Sequence, residues 1–107
     1  MTRWKGGIVV DSMDELVDRV QRQVYRMRDL HDQLARIRAR EASEDEAMTV
    51  EVDGNGAMTA LDFSDAVNGM TPGGFESTLV ATAAAAAASA FARRARLIEE
   101  FNAEVAR

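Results

Sequence analysis

The sequence contains no cysteine, one proline and one tryptophan among its 107 residues. The absence of cysteine excludes disulfide bonds, thiolate zinc sites and cysteine nucleophiles, and it suits a reducing cytosol. Aromatic residues make up only 6% of the chain, so we expect a core of aliphatic residues, methionine and alanine. A chain of this length is expected to form one domain with a modest core.

Long apolar runs are also missing. The apolar stretch near the N-terminus covers only residues 8–10, which is too short for the core of a signal peptide. Residues 79–92 are apolar but too few to cross a bilayer, and Arg93 and Arg94 follow them. We therefore expect a cytoplasmic protein with no membrane partner.

Positive charge is unevenly distributed along a chain whose net charge is −5. Residues 44–70 contain seven acidic residues and no basic one, whereas residues 12–43 contain seven arginines and six acidic residues. Residues 71–107 balance four arginines against four glutamates. An anionic partner would therefore have to meet the flanks and avoid the central segment.

The central segment, residues 48–63, has the pattern of a β-hairpin. Apolar and polar residues alternate on both sides of a turn signal, which predicts two strands with one buried face. On the second strand, Thr59, Leu61 and Phe63 are expected on that face. Such a hairpin is not stable alone, so something must cover it.

The turn of this hairpin lies within Asp53-Gly54-Asn55-Gly56. Three registers are open, and all of them bury the same residues because they differ by steps of two. We prefer Asn55-Gly56 as the centre of a type I′ turn. In that register Val50 faces Leu61 and Met48 faces Phe63.

The first flank predicts a long helix. Ser12 and Glu15 form a capping box that would start this helix at Ser12, after a flexible arm of residues 1–11. Apolar residues then recur every 3.5 positions on average, as in a coiled coil: Leu16, Val20, Val24, Met27, Leu30, Leu34 and Ile37. This seam is about 30 Å long, longer than the hairpin could cover. We therefore expect part of it to form a dimer interface, namely Val24, Met27, Leu30 and Leu34.

The second flank also predicts a helix, beginning with Thr71 as N-cap and Pro72 at its first position. Its alanine-rich segment, residues 81–90, is either filler of high helix propensity or a face that allows close packing. Residues 37–43 could end the first helix or form a strand beside the hairpin. The architecture is thus one α+β domain, residues 12–107, with two layers: two long helices flanking an antiparallel sheet of two or three strands.

Arginines group on both predicted helices. Arg19, Arg22, Arg26 and Arg28 lie on the first, and Arg93, Arg94 and Arg96 lie on the second. Guanidinium groups bind phosphates in a bidentate way and release counterions from DNA. The competing explanation is a solvated face with local pairs, because Glu15 with Arg19 and Asp18 with Arg22 are both spaced i,i+4.

No pattern indicates catalysis or metal binding. His31 is the only histidine, and Asp53 to Gly56 departs from a calcium loop at the next ligand position, Ala57. No serine, histidine and acid set is arranged for nucleophilic attack, and the carboxylates of residues 44–46 show no sign of burial. We expect a protein that is not an enzyme, with no catalytic residue, metal site or cofactor.

The order of segments resembles the YbaB/EbfC family of bacterial nucleoid-associated proteins. The resemblance runs from about Met13 to the C-terminus: the apolar seam, Thr-Val-Glu-Val-Asp-Gly-Asn-Gly at 49–56, Thr-Pro at 71–72, and Leu-Val-Ala-Thr-Ala-Ala at 79–84. It implies an α-β-β-β-α fold and a homodimer with projecting helices. It also implies binding to double-stranded DNA without a metal or a catalytic group. Two features depart from the family pattern. Relatives usually have acidic residues after the Thr-Pro that starts the second helix, where this chain has Gly73-Gly74, and the positive charge of the arginines on the helices is here partly offset by acidic residues.

We therefore predict a nucleoid-associated homodimer that binds double-stranded DNA with little sequence specificity through the seven arginines named above. The alternative is a dimeric interaction or scaffold module, for example beside secretion machinery, that binds another protein instead of DNA. The net charge of −5 fits that alternative at least as well.

Overall fold

A computed structural model describes the backbone of residues 5–106 and the side chains of residues 12–106. The elements in chain order are α1 (Lys5–Ala35), β1 (Arg38–Ala42), β2 (Met48–Asp53), β3 (Met58–Phe63), a 3₁₀ helix (Asp65–Gly69) and α2 (Pro72–Val105). The strands form one antiparallel sheet in the order β1-β2-β3. The predicted α+β class is confirmed, and β1 shows that residues 37–43 add a third strand.

The helix α1 begins at Lys5, seven residues before the predicted start at Ser12. The capping box of Ser12 and Glu15 therefore lies inside the helix and does not start it. A capping box favours a helix start, but it does not prevent the preceding residues from adopting helical dihedral angles as well. Residues 1–4 of the predicted flexible arm lie outside the described residues.

The hairpin pairs the predicted residues, since Val50 lies opposite Leu61 and Met48 opposite Phe63. Its turn is not type I′, because Gly56 has a positive φ and Asn55 does not. A three-residue loop is closed by the N–H of Gly56 donating to the Asp53 carbonyl at 3.0 Å and the N–H of Asp53 donating to the Ala57 carbonyl at 2.9 Å. The Asp53 carboxylate also accepts the N–H groups of Asn55 and Ala57, which favours this loop over the predicted one.

A β-bulge at Thr59 follows from this loop. Val52 pairs with Met58 and Glu51 pairs with Ala60, so Thr59 is the extra residue. Its hydroxyl donates to Glu51 at 2.7 Å on the solvent face of the sheet. The prediction that Thr59 lies on the buried face is therefore wrong. The three-residue loop shifts the pairing of β3 with β2 by one residue, and the bulge at Thr59 restores the predicted pairing from Ala60 onward.

The core lies between the sheet and α2. Ala86 and Ala90 are fully buried against Val50 and Val52, which are themselves buried. Because alanine projects so little, α2 can lie close to the strands, which favours the close-packing explanation of the alanine-rich segment over filler. The side chains of Leu34, Leu61, Leu79, Ala83 and Leu97 pack at the margin of this core.

The start of α2 is confirmed. Thr71 is the N-cap, Pro72 follows it, and the Thr71 hydroxyl accepts the N–H of Gly74 at 3.0 Å. The preceding residues, predicted as a loop, form the 3₁₀ helix, with the Ser64 hydroxyl accepting the N–H of Ala66 as its cap.

The helix α2 has 34 residues and contains an 18-residue window of mean hydropathy 1.3. By length and composition alone it could cross a membrane, so the prediction that this segment is too short does not hold for the helix as a whole. One such helix is weak support for a membrane span, because core helices of soluble proteins pass the same test. Ala86 and Ala90 of α2 pack on the sheet.

The loop geometry makes Gly56 a sensitive position. Its φ is +83°, and a Cβ atom there would lie 2.8 Å from Cζ of Phe91. We expect Gly56→Ala to lower the free energy of unfolding by about 1–2 kcal/mol, as measured by urea denaturation. Gly69→Ala is the matched control, because a Cβ atom there meets nothing within 4 Å. Equal stability of the two variants would contradict the described turn.

Candidate nucleic-acid interface

The arginines of α1 are exposed, and none of them pairs with a carboxylate among the described side chains. Among residues 12–106, ion pairs are formed only by Arg40, with Glu51 and Asp62. The alternative local pairs, Glu15 with Arg19 and Asp18 with Arg22, are therefore not formed in the structure. The positive charges on this part of α1 remain available to an anion.

Three of these arginines lie on one side of α1. Arg19, Arg22 and Arg26 are spaced three and four residues apart, which aligns them along one helical face. We call these three residues the α1 arginine face. Arg28 lies elsewhere, in a shallow groove with Val24, Met27 and His31. The structure therefore brings together three of the four arginines predicted on this helix.

The arginines of α2 divide between two sides of the molecule. Arg93 donates a hydrogen bond from Nη1 to the Arg38 carbonyl of β1. Arg94 lies beside the hairpin turn, where its Nη1 is 3.4 Å from Oδ1 of Asn55. Consecutive helical residues point about 100° apart, so the predicted cluster could not stay on one side. Arg96 shares a cavity with Arg93 and not with Arg94.

That cavity brings together two arginines that the sequence patterns did not single out. It has a volume of about 460 Å³ and lies where the end of α1, β1 and α2 meet. We call its four arginines the arginine notch: Arg36, Arg38, Arg93 and Arg96. No local pattern groups Arg36 and Arg38 with Arg93 and Arg96, because the two pairs lie on separate segments that tertiary packing brings together.

A groove between α1 and α2 continues from the arginine notch toward the α1 arginine face. Gln33, Leu97 and Glu100 line both the notch and this groove. Further along, the groove contains Arg26 together with the acids Asp29 and Glu104. An acidic stretch therefore separates the two basic surfaces.

The predicted dimer residues also divide into two groups. Leu34 packs against the core, and Leu30 lies in the groove with Leu97 and Phe101, so both meet their own chain. Val24 and Met27 are exposed, at 38% and 58%. The apolar surface left uncovered on α1 lies mainly before Leu30.

Arg40, on the solvent face of the sheet, is the one arginine among residues 12–106 whose charge is balanced by carboxylates. Arg40 donates to Glu51 at 3.2 Å and to Asp62 at 2.9 Å. The pKa of Glu51 is lowered, first by the hydrogen bond from Thr59 and second by that from Arg40. Because its two carboxylate partners compete with any phosphate, Arg40 is a poor anion ligand.

Asp45, in the acidic loop between β1 and β2, does not have the properties of a general acid. Asp45 accepts hydrogen bonds from the Ser43 hydroxyl and from the N–H of Ala47, and these lower its pKa. A carboxyl useful as an acid at neutral pH needs the opposite shift. Within the described part of the chain, no three His, Asp or Glu side chains come together as metal ligands would.

The fold and this surface define a small α+β protein that presents arginine-bearing helices to solvent. The family model described as the YbaB/EbfC DNA-binding family matches residues 10–105, nearly the whole chain. The protein therefore belongs to the YbaB/EbfC DNA-binding family. No curated protein sequence matched the chain.

Proposed function

We propose that the protein binds double-stranded DNA as a homodimer, with little sequence specificity, through the arginines of its helices. The observation that carries this proposal is the α1 arginine face, because its three guanidinium groups are exposed and unpaired with any described carboxylate. Contacts of this kind go to phosphates and carry no sequence information directly. Arg28, Arg93, Arg94 and Arg96 are proposed to add contacts along the same duplex or its neighbour.

The negative net charge is compatible with this proposal because the acidic excess lies in residues 44–70, whereas residues 12–29 carry four arginines and four acids. The molecule is 83 Å long. Arg19 and the start of β1 at Arg38 are 19 residues apart, a separation of about 25–30 Å along the chain. The Debye length at physiological salt is about 8 Å. The acids of the sheet therefore repel DNA only weakly at the distal half of α1.

The homodimer is proposed from the uncovered apolar stripe of α1, which includes Val24 and Met27 of the predicted interface. Residues 12–29 are all exposed, and the large apolar side chains among them share one face: Met13, Leu16, Val17, Val20, Val24 and Met27. Exposed apolar surface of this extent marks an interaction site. The 3.5-residue spacing is that of paired helices, and a second copy supplies an identical stripe. The proposed function implies a cytoplasmic location at the nucleoid.

Binding to DNA is expected to depend steeply on salt and on the α1 arginine face. Each phosphate contact contributes about −0.9 to the slope of log affinity against log salt concentration. We expect the triple variant Arg19→Gln, Arg22→Gln, Arg26→Gln to bind a random-sequence duplex more weakly at low salt. The magnitude of its slope should fall by about 3 in fluorescence anisotropy titrations.

A charge-matched pair of single variants is the control for this experiment. Arg22→Gln and Arg40→Gln remove the same charge, but only Arg22 lacks a carboxylate partner in the structure. We expect Arg22→Gln to weaken binding and Arg40→Gln to leave it within about twofold. A wild-type protein that retains no duplex at low ionic strength would overturn the proposal and favour the scaffold alternative.

The dimer proposal predicts that a negative charge on the apolar stripe of α1 disrupts the dimer and that the same charge on another face of α1 does not. Val20 lies on the apolar stripe, whereas Tyr25 is 65% exposed and lies about 140° away around the helix. Val20→Glu should give a monomer in sedimentation experiments at micromolar concentration, because it places a charge in the proposed interface. Tyr25→Glu adds the same charge and should remain dimeric.

If Val20→Glu stays dimeric with wild-type affinity, the α1 interface is wrong. A second exposed apolar surface would then be the one to test by the same method. Its candidate residues are the exposed apolar side chains of β3 and α2, namely Met58, Phe63, Val80 and Phe91.

A further inference from the structure

The arginine notch concentrates positive charge at the base of the helices. Its four guanidinium-bearing residues share the cavity with one acid, Glu100. Ile37 and Leu97 add apolar side chains to its lining, and Ile37 is itself buried. This is a local excess of positive charge in a protein whose net charge is negative.

Two of the four guanidinium groups are held in place by backbone carbonyls. Arg38 donates from Nη1 to the carbonyls of Ala35 and Ile37, at 3.2 and 2.7 Å. Arg93 donates from Nη1 to the carbonyl of Arg38. A carbonyl orients a guanidinium without neutralising it, and each guanidinium has five N–H donors. The notch is thus partly preorganised and keeps its charge.

The other two arginines of the notch have no described partner. Arg36 and Arg96 are exposed, and neither forms a hydrogen bond or an ion pair among the side chains of residues 12–106. Like charges in one cavity repel one another, and a bound anion would relieve that repulsion. Guanidinium groups fit the oxygens of a phosphate in a bidentate way.

We propose that the arginine notch binds one phosphate group, supplied by the backbone of the DNA duplex. This proposal rests on the proposed DNA binding for the source of the phosphate, but not for the anion site itself. The acids Asp29 and Glu104 separate the notch from the α1 arginine face. The two surfaces therefore contact phosphates at separate points, and the notch fixes where the duplex meets the body of the protein.

The test uses Arg36→Gln and Arg96→Gln, singly and together, because neither side chain supports the fold. Each single variant should weaken binding to a random-sequence duplex by about fivefold or more at low salt, and the double variant should lower the magnitude of the salt slope by about 1, because one phosphate contact is lost. Arg40→Gln removes the same charge outside the notch and should change affinity by less than about twofold. Circular dichroism and sedimentation check that fold and oligomeric state are unchanged.

A second measurement separates the anion site from the source of its phosphate. Inorganic pyrophosphate at low salt should raise the melting temperature of the full-length wild type above that of a chloride control of equal ionic strength. The double variant should lose this increase.

Loss of the pyrophosphate effect with unchanged DNA binding would assign the notch to free phosphates. If the double variant loses the pyrophosphate effect and the wild type binds no DNA, the proposed function is overturned, but the notch remains an anion site. A double variant that matches the wild type in both measurements would overturn the notch proposal.

Discussion

The structure depends on the close packing of α2 against a three-stranded sheet. Val50 and Val52 are buried, and α2 packs against them with Ala86 and Ala90, while Leu34 and Ile37 pack at the same core. The helix meets the strands with Ala86 and Ala90, whose small side chains permit a short distance between backbone segments. Larger residues at these positions would force the helix outward, since protein cores tolerate little added volume.

This packing attaches α1 through its last turns, where Leu30 also lies beside Leu97 and Phe101 of α2. Leu34 and Ile37 join the core, and the buried Gly54 allows the hairpin turn to approach the same helix end, because a Cβ atom there would lie 3.0 Å from the Leu34 carbonyl. The preceding turns of α1 extend away from the sheet, which accounts for the 83 Å length. The same geometry separates the α1 arginine face from the acidic strands and exposes the apolar stripe. The exposure of the α1 arginine face and the exposure of the apolar stripe proposed for dimerisation thus both follow from the way α1 is attached to the core.

Periodicity in the sequence was sufficient to predict the helices and the paired strands. Val50 and Leu61 were placed correctly because the bulge at Thr59 restores the register that the three-residue loop shifts. The turn type and Thr59 were not, since the hydrogen bonds of the Asp53 carboxylate decide the loop length and a period-two pattern does not contain them. The start of α1 was missed for a related reason: a favourable cap at Ser12 does not exclude an earlier start.

The candidate site was less predictable than the fold. Helical spacing identified Arg19, Arg22 and Arg26 as one face, but the arginine notch joins residues of β1, α2 and the turn before β1 that are up to 60 positions apart. Their proximity follows from tertiary packing and from the assignment of residues 38–42 as a strand. Local spacing along the chain contains no information about either.

The central claim is that duplex DNA meets the helices and the arginine notch beside β1, and does not meet β2 or β3. Amide hydrogen exchange with and without a random-sequence duplex, at low salt, tests it most directly. The account predicts slower exchange in α1 around residues 19–26 and at the arginine notch, with no change in β2 and β3. Slower exchange confined to residues 48–63, with α1 unchanged, would contradict it.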